Sequence, residues 1–363
     1  MNKLQRSPLL AVLCFLISSL FALSTATAQQ ELLVGTWGGH YEDGQSKVFF
    51  KPFEGLGQVK VSYQSHGGNL HKLIAKRISG QKPWDILDLD RTTLEKACTS
   101  GFLLSIDHKN LPPGIGGVTA QEDFLDGSIH RCGIAHSVWS KIFAIKLSSF
   151  QEKPPPTNLT QLFDIENHPG PRGFFKTAEG LLELALLADG VSVEAIYELL
   201  STKDGRQRAF AKLSSIRQEI LWLKSTSQGL DLLKEGKLSI AQGYHNELFS
   251  TASNQENGIA LLWDHQLMAK SYWSVVAASD HRDKALEFIN FATSPGATAS
   301  QASFLGYGPS RQSAQTLVRE DLRPYLPTDP EHLKTYFVVD YYWWDTQGRA
   351  AKKEFWDWLR SGV

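Results

Sequence analysis

Cysteine is scarce. The 363 residues hold three, and Cys14 falls inside an N-terminal stretch that reads as an export leader. Cys98 and Cys132 remain. They are too few for a disulfide-built scaffold, and no His or Cys at ligand spacing makes a zinc site of them. His130 and His136 flank Cys132 without any motif that would mark a catalytic thiol. Charge of one sign is missing too: 37 Lys and Arg stand against 38 Asp and Glu, which leaves no electrostatic footprint for nucleic acid or an anionic membrane. After Leu23 no run is apolar and long enough to span a bilayer. The 11 His contain no zinc-type pair, and neither a Walker phosphate loop nor a Gly-x-Ser-x-Gly elbow occurs. Internal repeats and low-complexity linkers are absent. Neither a metal nor a cofactor is expected.

The first 28 residues are read as a signal peptide. Lys3 and Arg6 give the positive start, 9–23 is a short apolar run, and Ala26-Thr27-Ala28 offers small residues for cleavage before Gln29. The large Leu13 before Cys14, and the apolar run continuing past it, argue against a lipoprotein. The mature protein is expected to be exported into an oxidising compartment. There an even pair of cysteines is expected as a Cys98–Cys132 disulfide.

The mature chain is long enough for two α/β lobes. It opens on Leu-Leu-Val-Gly-Thr-Trp-Gly-Gly over 32–39, a short apolar strand running into glycines and an aromatic. Such a turn lets a ligand approach the backbone closely. Strands are predicted over 32–36, 59–63 and 85–90. Helices are predicted over 42–53, from the cap Asn69 to Gly80, and over 93–100. This alternation points to a parallel sheet with helices on its faces. After Pro154-Pro155-Pro156 helices dominate, over 178–188, 193–200, 204–217, 227–235 and 283–292, with strands over 238–242 and 273–277.

An ordered set of short motifs runs through the chain. These are Trp37-Gly-Gly-x-Tyr41, Gly-Gly-Asn-Leu at 67–70, Pro-Trp-Asp-Ile-Leu-Asp-Leu at 83–89 and Gly-Phe-Leu-Leu-Ser-Ile-Asp at 101–107. Then follow the Pro/Gly-rich 170–173, Asp-Lys-Ala-Leu-Glu-Phe-Ile-Asn-Phe-Ala-Thr-Ser-Pro at 283–295, and Tyr-Gly-Pro at 307–309. Over nearly the whole mature chain this resembles the periplasmic substrate-binding subunits of ABC importers, in their spermidine/putrescine-binding-protein-like branch. The resemblance implies a two-lobed, type II periplasmic-binding-protein α/β fold with a ligand cleft between lobes joined by hinge strands. Crossings are placed near 136–139, 270–274 and 305–310. The first lobe is then 29–136 with 273–305, and the second 137–272 with 306–363. It further implies a monomer that takes a small-molecule solute to an ABC permease in the inner membrane and performs no chemistry.

The expected ligand-binding residues are Trp37, Tyr41, Asp88, Tyr244, Asn246 and Trp273. Trp37 and Tyr41 follow the first strand at a sheet edge, where α/β clefts form, and should supply aromatic walls. Asp88 ends the third strand and should be the anionic anchor. Asp85 and Asp90 compete with it, and one of the three should cap the helix that starts near Thr92. Tyr244 with Asn246 should form the facing wall, and Trp273, on a hinge strand, reads equally as core. Tyr341-Tyr342 is read as core or surface.

Polyamine receptors hold their cations with acids and stack the methylene chain on rings. Thr177, Gly180 and Ser271 stand where that subgroup carries acids. The expected solute is therefore a small polar, amine-bearing, polyamine-like molecule but not spermidine at high affinity, with Glu179 or Glu247 as alternative counter-charges. Two other functions are carried along: a periplasmic hydrolase or isomerase using Asp88 and a His, and a receptor-fold protein serving a signalling membrane protein. The leader makes a direct prediction: intact-mass measurement of the exported protein should show residues 1–28 removed, and a retained N-terminus or a lipid on Cys14 would contradict it.

Overall fold

The computed structural model describes residues 30–57, 59–67, 84–254, 256 and 258–362. The leader and the helix expected after Asn69 lie outside these residues. Ten strands form one curled sheet: β1 (Gln30–Thr36), β2 (Val59–Ser65), β3 (Ile86–Asp90), β4 (Ile129–His130), β5 (Gly133–Lys146), β6 (Arg172–Phe175), β7 (Ile220–Leu223), β8 (Ile240–Tyr244), β9 (Ile259–Val275) and β10 (Gly308–Pro309). The order is β2-β1-β3-β9-β5-β8-β6-β7, with β4 and β10 also on β5.

The expected parallel sheet is found at both ends and not in the middle. β1 is parallel to β2 and β3, and β6 is parallel to β7 and β8. Between these blocks β5 and β9 run antiparallel to each other and to β3 and β8. They are long because each serves both blocks. β9 takes up the short strand expected over 273–277 as its last part. β6 begins inside the Pro/Gly-rich stretch, where no strand is predicted from the sequence.

The two largest of five hydrophobic clusters among the described residues flank this central pair. The first gathers Leu32, Val34, Ile86, Phe49, Phe50, Trp273 and Phe288. The second gathers Phe143, Phe174, Leu182, Leu186, Ile240, Leu267, Trp344 and Phe355. Burying a large apolar side chain stabilises by about 1.5–3 kcal/mol, so each core can hold a lobe. The helices confirm the periodicity. Arg91–Thr99 starts at the cap Asp90, Leu181–Ala188 is buried on every side, and Arg282–Ala292 turns Ala285, Phe288 and Ile289 inward. The segment expected over 42–53 is helical from Gly39 to Leu56, with a π turn at Ser46–Phe50 that puts Val48, Phe49 and Phe50 all into the core.

Cys98, in the helix Arg91–Thr99, is bonded to Cys132 just before β5, with Cα atoms 5.8 Å apart. The cross-link closes a loop with a sequence separation of 34. Chain entropy then predicts that replacing both cysteines with Ala costs about 3–4 kcal/mol. Urea unfolding of that variant beside the oxidised protein checks it; equal midpoints would refute it.

Candidate functional site

The carboxyl ends of the first-lobe strands carry a buried polar network centred on Asp88. Its Oδ2 accepts from Tyr41 OH at 2.9 Å and from Gln45 Nε2 at 2.7 Å, and its Oδ1 lies 3.2 Å from His136 Nε2. Gln45 Oε1 in turn accepts from Thr36 Oγ1 at 2.6 Å. Asp88 and His136 are both 0% exposed. His136 is the extra residue at a register shift between β5 and β9, and such a bulge re-aims a side chain. Its ring stacks on Trp273 at 4.4 Å, with Phe49 edge-on to both. Trp273 is therefore core: it is fully buried, and its Nε1 finds no acceptor among the described residues.

Trp37 sits past the end of β1. Gly38 and Gly39 follow at φ +88° and +64°, and a Cβ on Gly38 would meet Ser65 Oγ at 2.9 Å, so only glycine fits that turn. The half-buried Trp37 indole packs edge-on to His66 at 5.0 Å. His66 Nε2 lies 2.7 Å from the Asp88 carbonyl oxygen. Tyr41 packs against Tyr307 at 5.2 Å. Burial, then the Asp88 charge, then Tyr307 hold the Tyr41 phenol well above its ordinary pKa. The competing acids are structural. Asp90 accepts from Thr93 N at 2.7 Å as a helix cap, and Asp85 accepts from Leu33 N at 2.8 Å and Ser279 Oγ at 2.6 Å.

The facing cluster belongs to the second lobe. Tyr244, half-buried at the end of β8, contacts Trp139 at 5.7 Å and Phe175 at 5.6 Å. Lys141 Nζ lies over its ring, 5.6 Å from the centroid. Burial, and secondarily Glu247, raise the Tyr244 phenol pKa. Asn246 is half-buried in the first turn of the helix His245–Ala252. His245, between them, accepts from Ser140 N at Nδ1 (3.0 Å), so its Nε2–H donates to the Gly306 carbonyl at 2.7 Å. Burial pushes its pKa down to about 4, and the neutral ring fixes the segment that carries Tyr307.

The C-terminal segment lies over the hinge strands. Glu183, fully buried, accepts from Tyr197 OH at 3.0 Å, Trp344 Nε1 at 2.6 Å and Gly180 N at 2.8 Å. Burial pushes its pKa up to about 7 against those donors. This holds Tyr341 beside Trp139 and Lys141, where the three border a void of about 10 Å³ with Leu267, Met268, Ala269 and Val339. Burial first, then Tyr244, Glu183, Glu179 and Asp90, raise the Tyr341 phenol. Tyr341 is thus partly buried and packs against the second core, as its reading as core or surface expects. An ion pair, Lys96–Asp345 at 2.5 Å, links a first-lobe helix to this segment. A larger cavity, about 400 Å³, is lined by Pro155, Pro156, Trp263 and His332 among others and contains none of the expected site residues.

Of the six expected residues, Tyr41 and Asp88 meet directly, and Trp37 joins them through His66. Tyr244 and Asn246 share the opposite side, and Trp273 stands behind His136. Sequence reasoning did not single out Trp139, Lys141, Tyr307 or Gln45. The alternation in His-Ser-Val-Trp-Ser-Lys at 136–141 was the available signal for two of them. Among the described residues no group of three or more His, Cys, Asp or Glu is placed to hold a metal ion, and no helix is long and apolar enough to cross a membrane.

Two α/β lobes, with aromatic-lined strand ends on either side of two shared strands, define a solute-binding protein. The chain belongs to the bacterial extracellular solute-binding protein family, whose description matches residues 49–332. It is 31% identical over 346 residues to the gamma-aminobutyric acid-binding protein of Pseudomonas aeruginosa, which covers 94% of this chain and 95% of that one. A solved gamma-aminobutyric acid (GABA) receptor aligns with a TM-score of 0.75 at 22% identity, over 91% of this chain and 97% of its own. A spermidine/putrescine ABC-transporter substrate-binding protein from Streptococcus pneumoniae aligns at 0.72 with 16% identity, over 91% and 99%. At those identities the solved structures speak for the two-lobed fold.

Asp88→Ala would leave three buried donors without an acceptor. It should cost about 2–5 kcal/mol of stability and loosen Tyr41. Thermal unfolding checks the first effect and the Tyr41 environment, by near-UV circular dichroism, the second; an unchanged melting temperature would remove Asp88 from its central place.

Proposed function

We propose that the protein captures a small amine-bearing organic solute between its lobes in the periplasm and delivers it to an ABC permease of the inner membrane. One observation carries this reading: rings from separate stretches of chain, Tyr41 of the first lobe against Tyr307 of the second, with Tyr244 and Trp139 also on the second, stand beside the shared strands. Contacts from both sides exist together only when the lobes close, which favours hinge closure on binding. The lobe limits at 136/137 and 272/273 are supported to within a few residues by the change of partners along β5 and β9, β9 pairing with β3 from Ser271 and β5 with β8 from Lys141. The periplasmic location is supported by the leader, by the disulfide and by the family's extracellular description.

Asp88 has its acceptors filled by protein donors, so in this reading it sets Tyr41 in place and does not touch the solute. The amine end is assigned to Glu247, whose charge acts on both Tyr244 and Tyr307. Glu179 is engaged by Lys352 at 2.8 Å. The Asp88–His136 pair of the enzyme hypothesis exists, but it is enclosed by Trp273 and Phe49, which favours binding without turnover. The relative from Pseudomonas aeruginosa favours a solute of the γ-aminobutyrate type.

Calorimetry with γ-aminobutyrate, n-butylamine, putrescine and spermidine tests this. γ-Aminobutyrate should bind, spermidine should bind far more weakly, and the bound solute should be recovered unchanged. Trp37→Ala should weaken binding at least about tenfold, a loss of ~1.4 kcal/mol, with little change in melting temperature. Failure of the whole panel to bind, or recovery of an altered solute, would overturn the reading.

A further inference from the structure

Most cations wholly or partly withdrawn from solvent among the described residues are engaged. Arg311 pairs with Asp123 at 3.0 Å and Arg206 with Glu354 at 2.8 Å. Arg172 donates to the carbonyls of Leu162, Gly170 and His168, and Lys146 to those of Leu233 and Lys234. Lys141 differs. Among the described residues its ammonium makes no hydrogen bond and no ion pair, and its contact is the Tyr244 ring. The two carboxylates whose charge reaches it are Glu179 and Glu183. The first is paired with Lys352, and the second already accepts three donors.

Its position is as telling as its lack of a partner. Lys141 is paired with Tyr244 on β8 and with Leu267 on β9, where the two hinge strands enter the second lobe. Trp139, two residues earlier on the same face, and Tyr341 flank it. Lys141 is half-buried; Lys270, which is buried, likewise makes no hydrogen bond or ion pair among the described residues, but it pairs with Val138 beside Asp126 and Arg91, apart from this ring cluster. An ammonium withdrawn from water without a counter-charge is costly, and burial accordingly lowers the Lys141 pKa. A fold keeps such a group where a ligand completes it.

We propose that Lys141 is the anion-binding group of the solute cleft, and that the solute is a small amino acid with a free carboxylate and not a di- or polyamine. This rests on the solute-capture reading above. γ-Aminobutyrate and putrescine share a four-carbon chain and one ammonium end. They differ at the other end, carboxylate against a second ammonium. Lys141 forms a charge-assisted hydrogen bond with the first and repels the second. The Tyr341 phenol, held protonated by its surroundings, stands next to it as a further donor. The void at this point has room for about one water and is lined by second-lobe residues alone, so a solute carboxylate reaches Lys141 by displacing a side chain of that lining.

Calorimetry of the wild type, Lys141→Met and Lys141→Arg with γ-aminobutyrate, its neutral amide 4-aminobutanamide, and putrescine tests the proposal, with a thermal melt of each protein alone. The wild type should prefer γ-aminobutyrate to both others. Lys141→Met should lose about 100-fold in γ-aminobutyrate affinity while 4-aminobutanamide changes by less than about threefold, since it offers no charge to lose. Lys141→Arg should keep most of the affinity. The unliganded melting temperature of Lys141→Met should be equal or higher, because an unpaired, partly desolvated charge has been removed. Unchanged γ-aminobutyrate binding by Lys141→Met, or putrescine bound by the wild type as tightly as γ-aminobutyrate, would overturn the proposal. So would a Lys141→Met protein that melts lower and weakens for all three compounds alike, the mark of a structural lysine. If the wild type binds none of the three, the solute-capture reading itself has failed.

Discussion

The pairing of β5 with β9 is the constraint on which the rest depends. Both strands leave one lobe and enter the other, and they stay hydrogen-bonded to each other from Ile134↔Trp273 to Lys146↔Ile259. Antiparallel pairing over that length resists slippage, because a one-residue shift would turn every buried side chain outward. The pairing is nevertheless interrupted twice, at His136 and opposite 263–266. Interrupted ladders are where a sheet bends most easily. The same pair therefore supplies the continuity that holds two lobes together and the weak points that let them move.

Each lobe uses one buried acid to fix the side of the cleft it presents. In the first, Asp88 gathers Tyr41, Gln45 and His136; in the second, Glu183 gathers Tyr197, Trp344 and Gly180. A buried carboxylate is tolerable only when its acceptors are filled, and filled acceptors have little left for a solute. Both acids act as positioning groups, one for Tyr41 and one for the segment carrying Tyr341. An acid placed at the cleft is thus not automatically the group that touches the ligand. What separates the two roles is whether the protein has already satisfied it.

Local patterns carried much of this into the sequence. The strand into Trp37-Gly-Gly, an Asp cap among Asp85, Asp88 and Asp90, and the apolar helix before Gly190 were all legible, because they depend on near neighbours in the chain. The long hinge strands were not. In β9 the stretch Leu-Leu-Trp-Asp-His-Gln-Leu-Met at 261–268 mixes polar and apolar residues without a clean period, since the strand changes partners along its length. The meeting of Asp88 with Gln45 and His136 was equally hidden: those residues are 43 and 48 positions away. Lys141 was invisible for another reason. A lysine's significance here lies in having no partner, and sequence spacing does not show what is missing around a side chain.

The departures from the polyamine pattern now have a local cause. Gly180 has φ +86°, and a Cβ there would meet Leu267 Cδ1 at 2.6 Å. An acid at this position would strain the backbone and push on a hinge strand, while the same turn lets the Gly180 N–H reach Glu183. Ser271 is buried and in register with Asp90 and Ser137. A carboxylate there would bring a third acid close to Asp88 and Asp90, which the donors present do not offset. The backbone and the existing acids together keep additional negative charge away from this side. In the proposed reading Lys141, unpaired on β5, adds positive charge to a cleft poor in the acids a polyamine needs. That balance, set by a glycine and a serine as much as by the lysine, fits a solute that brings its own anion.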